Sequence, residues 1–188
     1  MKKLLLLLLI PCLLLCSCNT FGGESNEETT IEIEALGVTI KNVSSIQIPD
    51  ENGDLQTISI GFSWGDLHSL FPLTQGLVGV DFLKDASGND VMIEFETENR
   101  ELKIKSIQVF SPRERELTKA DVEQIKKGMT VSEVVYLLGV PHYAWAGGII
   151  QSYYVLEDGT TRYSITWARR MIDGIQKTVV VSGDIEED

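Results

Sequence analysis

Gly61-Phe62-Ser63-Trp64-Gly65 is the most chemically suggestive run in the chain, because G-x-S-x-G sets a nucleophilic serine on a sharp turn between strand and helix. Such a serine needs an imidazole to take its proton and an acid to orient that imidazole, on a parallel sheet with several crossovers. The sequence holds two histidines, His68 and His142. His68 falls about one turn along the same helix, where it cannot easily face Ser63, and His142 belongs to a loop of the other half. Ser63 is therefore read as a helix N-cap, and no catalytic residue is assigned.

Other chemistry has even less to work with. Two histidines and no usable thiol leave only carboxylates for a metal, and Asp85-Ala-Ser-Gly-Asn-Asp90 lacks the terminal Glu of an EF-hand loop. It reads as a polar hairpin turn. Glu94 and Glu96 share one face of a strand, which reads as a solvated face rather than an acid/base pair. Ala146-Gly147-Gly148 has no Lys or Ser/Thr after it in helical context, so it is not a phosphate loop. Neither a metal nor a cofactor is expected.

Recognition remains, and Pro141-His142-Tyr143-Ala144-Trp145-Ala146-Gly147-Gly148 is its best candidate. Large aromatics between glycines are costly to expose without a partner, and Tyr and Trp are favoured interface anchors. His142, Tyr143 and Trp145 are candidate partner contacts, as is Trp64 just after the first cap. Folding of Tyr143 and Trp145 back over a sheet is the alternative. Tyr153 and Tyr154 alternate on a strand, one inward and one outward.

The elements that carry these residues begin after an export signal. Lys2 and Lys3, an apolar run from Leu4 to Leu15 and small Ser17 before Cys18 form a segment too short to span a bilayer, which needs about 20 residues. Leu15-Cys16-Ser17-Cys18 resembles the lipobox of bacterial lipoproteins, which implies a signal peptide over 1–17 and acylation of Cys18. Cys12 and Cys16 leave with the signal, so no disulfide is expected. Residues 18–30, rich in Gly, Ser, Asn and Glu, read as a flexible tether. Losing Lys2 and Lys3 takes the net charge from −12 to −14, which disfavours nucleic acid and anionic headgroups as partners and leaves the acyl chains as the membrane contact.

The body carries a weak internal repeat. Gly128, Thr130 and Glu133 precede an apolar stripe of Val134, Leu137 and Leu138, as Gly61, Ser63 and Asp66 precede Leu67, Leu70 and Phe71. The offset is 67 residues, from Gly61 to Gly128. Antiparallel strands follow each helix, 79–84, 91–96 and 102–110 in one half and 151–157, 160–168 and 175–182 in the other. Val91, Ile93 and Phe95 match Tyr163, Ile165 and Trp167 at an offset of 72, and the third strands are aligned at the same offset through Ile107 and Val109 against Val179 and Val181. The loop 140–148 supplies the five extra residues. Before the first helix, 44–60 around Asp50-Glu-Asn-Gly53 reads as a hairpin, where the second half has a short helical lead-in.

Ile125-x-x-Gly128-Met129-Thr130-x-x-Glu133-Val134-x-x-Leu137-Leu138-Gly139-x-Pro141, followed by a Tyr-rich strand and Asp158-Gly159, resembles the SmpA/OmlA (BamE-like) lipoprotein family over about 117–182. With the first half as a degenerate copy, the chain is similar to the tandem arrangement of the β-lactamase inhibitor protein (BLIP-like). The fold expected is α+β, two tandem helix-on-antiparallel-sheet repeats over 31–113 and 114–188, each helix resting on its own sheet. The resemblance implies an envelope lipoprotein, non-catalytic, that binds or assembles other envelope proteins. The alternative it implies is an inhibitor of a secreted or periplasmic enzyme. Asn19, where some bacteria place an Asp that retains lipoproteins in the inner membrane, points to the outer membrane.

Overall fold

A computed structural model describes residues 30–72 and 75–186; the expected export signal, Cys18 and the expected tether up to residue 29 lie outside them. The described chain opens with two strands, β1 (Thr30–Ile33) and β2 (Val38–Val43), joined by a 3₁₀ turn that drops Leu36 into the core. A hairpin follows, β3 (Ser45–Pro49) with β4 (Leu55–Ser59), in the place read as a hairpin from 44–60. Its turn is held by Asp50, whose Oδ1 accepts from the amides of Asn52 and Asp54. Helix α1 (Trp64–Leu70) comes next, then a meander of β5 (Gln75–Leu77), β6 (Val80–Lys84), β7 (Asp90–Glu98) and β8 (Glu101–Phe110). Between β6 and β7, Asp85 Oδ1 accepts from the amides of Ser87 and Asn89, the polar turn expected there.

In the second half a four-residue helix, α2 (Lys119–Val122), leads to α3 (Val131–Leu138). Both carry a reciprocal capping box, Thr118 with Asp121 and Thr130 with Glu133, so two orphan amides of each short helix are satisfied. Arg115 clamps Asp121 through two bonds of 2.7 and 2.9 Å, and this is the main reason the Asp121 carboxyl lies well below its ordinary range. A second meander closes the chain: β9 (Tyr143–Trp145), β10 (Ile150–Val155), β11 (Arg162–Ile172) and β12 (Ile175–Glu186).

The pairing is antiparallel in both main sheets, a six-stranded one ordered β1-β2-β8-β7-β6-β5 and a four-stranded one ordered β12-β11-β10-β9. Alternation along β7 decides what covers the larger sheet. Val91, Ile93 and Phe95 face α1 and the β3–β4 hairpin, in a core with Ile48, Ile58, Leu67 and Ile104. Leu67 is fully buried there, which is worth about 2 kcal/mol. Met92, on the opposite face, joins Phe110, Val134, Leu138, Tyr154, Ile165 and Trp167 in a core that crosses between the halves.

Three expectations are corrected here. The two helix-on-sheet units do not each keep to their own sheet, because α3 lies between the sheets. Tyr136 on α3 meets Gln108 Nε2 on β8 at 2.6 Å while Thr130 bridges to Val179 on β12. For the same reason the face read as solvated is covered at Glu94, while Glu96 farther along is exposed. Half-buried Glu94 accepts from Ser106 at 2.9 Å and from Ser132 on α3. The third strands also do not align at offset 72. A bulge shifts β8 against β7 between Glu94 and Phe95 and β12 against β11 between Thr166 and Trp167, so Phe95 pairs with Ile104 and Trp167 with Val180. From Ile104 to Val180 the offset is 76, because β11 and β12 run longer around their shared turn.

Candidate interaction surface

Ser63 holds the position of a cap. Its Oγ accepts the Asp66 amide at 3.0 Å and lies 2.7 Å from Asp66 Oδ2, while the backbone around it reaches across to β8. The His68 ring turns elsewhere, with Nε2 2.8 Å from Asp81 Oδ2. Burial pushes the Asp81 carboxyl up, and His68 partly opposes this. Trp64, 43% exposed, lies against His68 with centroids 4.1 Å apart and the rings tilted by 33°. Ser63 Oγ thus meets Asp66 while His68 Nε2 meets Asp81.

The 141–148 segment is not simply a loop, since Tyr143–Trp145 forms the edge strand β9 and pairs with Gln151, Ser152 and Tyr153 of β10. Strand alternation settles where its side chains go. Ala144 is buried, and Tyr143 (39% exposed) and Trp145 (54% exposed) stand on the outer face. Tyr143 stacks on Tyr153 with centroids 5.3 Å apart at 19°, and the Arg162 guanidinium lies 5.4 Å from the Tyr153 ring. Stacked rings are worth about 1 kcal/mol beyond their burial, so the row is held in place before any partner arrives. Gly147 passes close beside Trp145, where an added Cβ would stand 2.5 Å from the indole and push the ring aside.

The inner face of the same sheet explains that rigidity. Tyr154, 1% exposed, donates to Gly139 O at 3.0 Å, and Trp167 Nε1 donates to Ser152 Oγ at 2.9 Å. One tyrosine of the Tyr153-Tyr154 pair thus points in and the other out.

His142 does not join the aromatic row. Its Nδ1 accepts the Val155 amide at 3.1 Å and its own amide donates to Tyr153 O, so the residue ties β9 to β10. Burial, helped by the Arg113 charge, pulls its pKa below the ordinary value, in keeping with a neutral acceptor ring. Arg113 in turn donates from Nε to Leu138 O at 2.9 Å and from Nη2 to Val140 O at 2.6 Å, capping the carbonyl end of α3. Of the four candidate contacts, the structure brings Tyr143 and Trp145 together and leaves Trp64 and His142 to other partners. Tyr153 and Arg162 complete the surface and were missed as contacts. The period of two along 150–155 and 162–168 was their signal, once β9 is known to pair beside Tyr153.

No curated protein and no solved structure matches the chain. Residues 115–182, which run from the Arg115 clamp through α2, α3 and the second meander into β12, are similar to one family and match its model: the outer membrane protein assembly factor BamE domain.

Proposed function

We propose that this chain is a lipid-anchored cell-envelope protein, acylated on Cys18 and held at the outer membrane, that binds other envelope proteins as a non-catalytic assembly module. The observation that carries this reading is the match of 115–182 to the assembly-factor domain. The aromatic row of Tyr143, Tyr153 and Trp145 supplies the docking face, since rigid, half-exposed Tyr and Trp are the side chains that anchor interfaces.

In the same reading 31–113 and 114–188 are tandem copies of one unit. Gly61 donates to Ile104 O at 2.8 Å and Ile104 back to Phe62 O at 2.9 Å, and Gly128 donates to Val180 O at 2.9 Å and Val180 back to Met129 O at 2.8 Å. In both halves this pair sits beside the bulge. The first copy serves as a platform for the second, and the second meets the partner.

The test is affinity capture of the lipidated protein from solubilised envelopes, beside a variant with Tyr143→Ala and Trp145→Ala. Outer-membrane assembly proteins should come with the first and be lost from the second. Equal recovery from both would remove the docking face from the account.

A further inference from the structure

A cleft of about 520 Å³ opens at the seam of the two halves, where β6, the linker after β8 and the segment after α3 meet. Its size falls within the range of small-molecule sites, which favour such seams. One wall is apolar, made by Phe82, Val140 and Pro141. The other holds Lys84, Asp90, Arg113 and His142. Lys84 and Asp90 pair at 2.6 Å, and Glu116 joins Lys84, Arg113 and His142 around the polar mouth, so two cations and two carboxylates balance there. In a chain of net charge −12, that leaves the cleft locally neutral.

The donors are fixed before a ligand arrives. Arg113 is pinned by Leu138 O and Val140 O, its guanidinium 5.9 Å from the Tyr154 ring, and among the described residues nothing takes its Nη1. Because His142 Nδ1 accepts the Val155 amide, the neutral ring carries its hydrogen on Nε2. Two preset N–H donors and a lysine thus border an apolar wall, a combination that suits a charged head of two acceptor oxygens on an apolar body.

We infer that the cleft binds the carboxylate end of an apolar molecule, a polypeptide C terminus or a free fatty acid, with the carboxylate on Arg113, His142 and Lys84 and the body against Phe82 and Val140. Calorimetric titration of the full chain tests this with three probes: acetyl-Ala-Leu-Phe with a free C terminus, the same peptide as its amide, and decanoate. At least one carboxylate should bind, and the amide should bind about tenfold or more weakly than the free peptide if the peptide is the occupant. Binding of the peptide alone marks a polypeptide end as the source, and of decanoate alone a fatty acid. Lys84→Met, at a largely exposed side chain whose loss the fold tolerates, should weaken whichever carboxylate binds by about threefold to tenfold. Equal binding of acid and amide without decanoate binding, no binding of either carboxylate at about millimolar concentration, or a Lys84→Met affinity equal to that of the parent would overturn the inference.

Discussion

At the scale of single residues, polar side chains hold the short elements in place. Thr130 shows the accounting. Its N–H donates to Glu133 Oε2 at 2.7 Å and its Oγ1 lies 2.8 Å from the same oxygen, and these bonds hold the Glu133 carboxyl below its ordinary range. A carboxyl depressed in the folded state adds stability that is complete above its unfolded pKa, about 4.3, and drains as pH falls through the lower folded value. Thr130→Ala should therefore cost about 1 kcal/mol at neutral pH, and the gap from the parent should narrow below about pH 4. Urea unfolding at several pH values measures both. Ser63→Ala should cost a similar amount at the first helix, about 1 kcal/mol. Sequence alone made these caps visible, because a cap and its acid lie three residues apart. It could not show that Arg113 would reach from the linker to the end of α3, 25 residues on, since nothing local requires that contact.

Elements are where local pattern and tertiary context part company. The first hairpin, α1 and α3 were legible from turn residues and apolar spacing, whereas the helical lead-in, expected at Ile125-Lys-Lys, forms earlier as α2. β1 and β2 were not, because β2 finds its partner in β8, as Lys41 does in Val109, and such pairing leaves no local trace. β9 was hidden by its length of three residues. The bulges beside Phe95 and Trp167 are likewise invisible in alternation, since an extra unpaired residue reads as a change of face. What repeats in both halves is the glycine before the cap, Gly61 at φ +84° and Gly128 at φ +94°, each hydrogen-bonded to the strand just past its bulge. A Cβ at either meets no atom within 4 Å, so substitution strains the backbone alone. Gly61→Ala and Gly128→Ala should each lose about 1 to 2 kcal/mol, and by similar amounts, in denaturant unfolding. A cost at one and none at the other would break the equivalence of the two halves.

For the molecule as a whole, the shared core matters more than the repeat. Leu36, Phe82, Met92 and Phe110 from the first half pack in one cluster with Val134, Tyr154, Ile165 and Trp167 from the second. Halves that bury each other's side chains cannot melt separately without exposing that cluster, so the chain should unfold in one calorimetric transition. Two resolved transitions would show independent units. Sequence reading gave two helix-on-sheet units and could not give their mutual packing, because an apolar stripe does not say which of two sheets it will meet. The rigid platform that results presents the Tyr143, Tyr153 and Trp145 face outward on the half that matches the assembly-factor domain. Site-specific photo-crosslinking in intact envelopes tests that claim most directly, with a photoreactive aromatic placed at Trp145 or, as a control, at exposed Leu55 on the β3–β4 hairpin. The account predicts discrete adducts with outer-membrane assembly proteins from position 145 and none from position 55; adducts from 55 alone, or from neither, would contradict it.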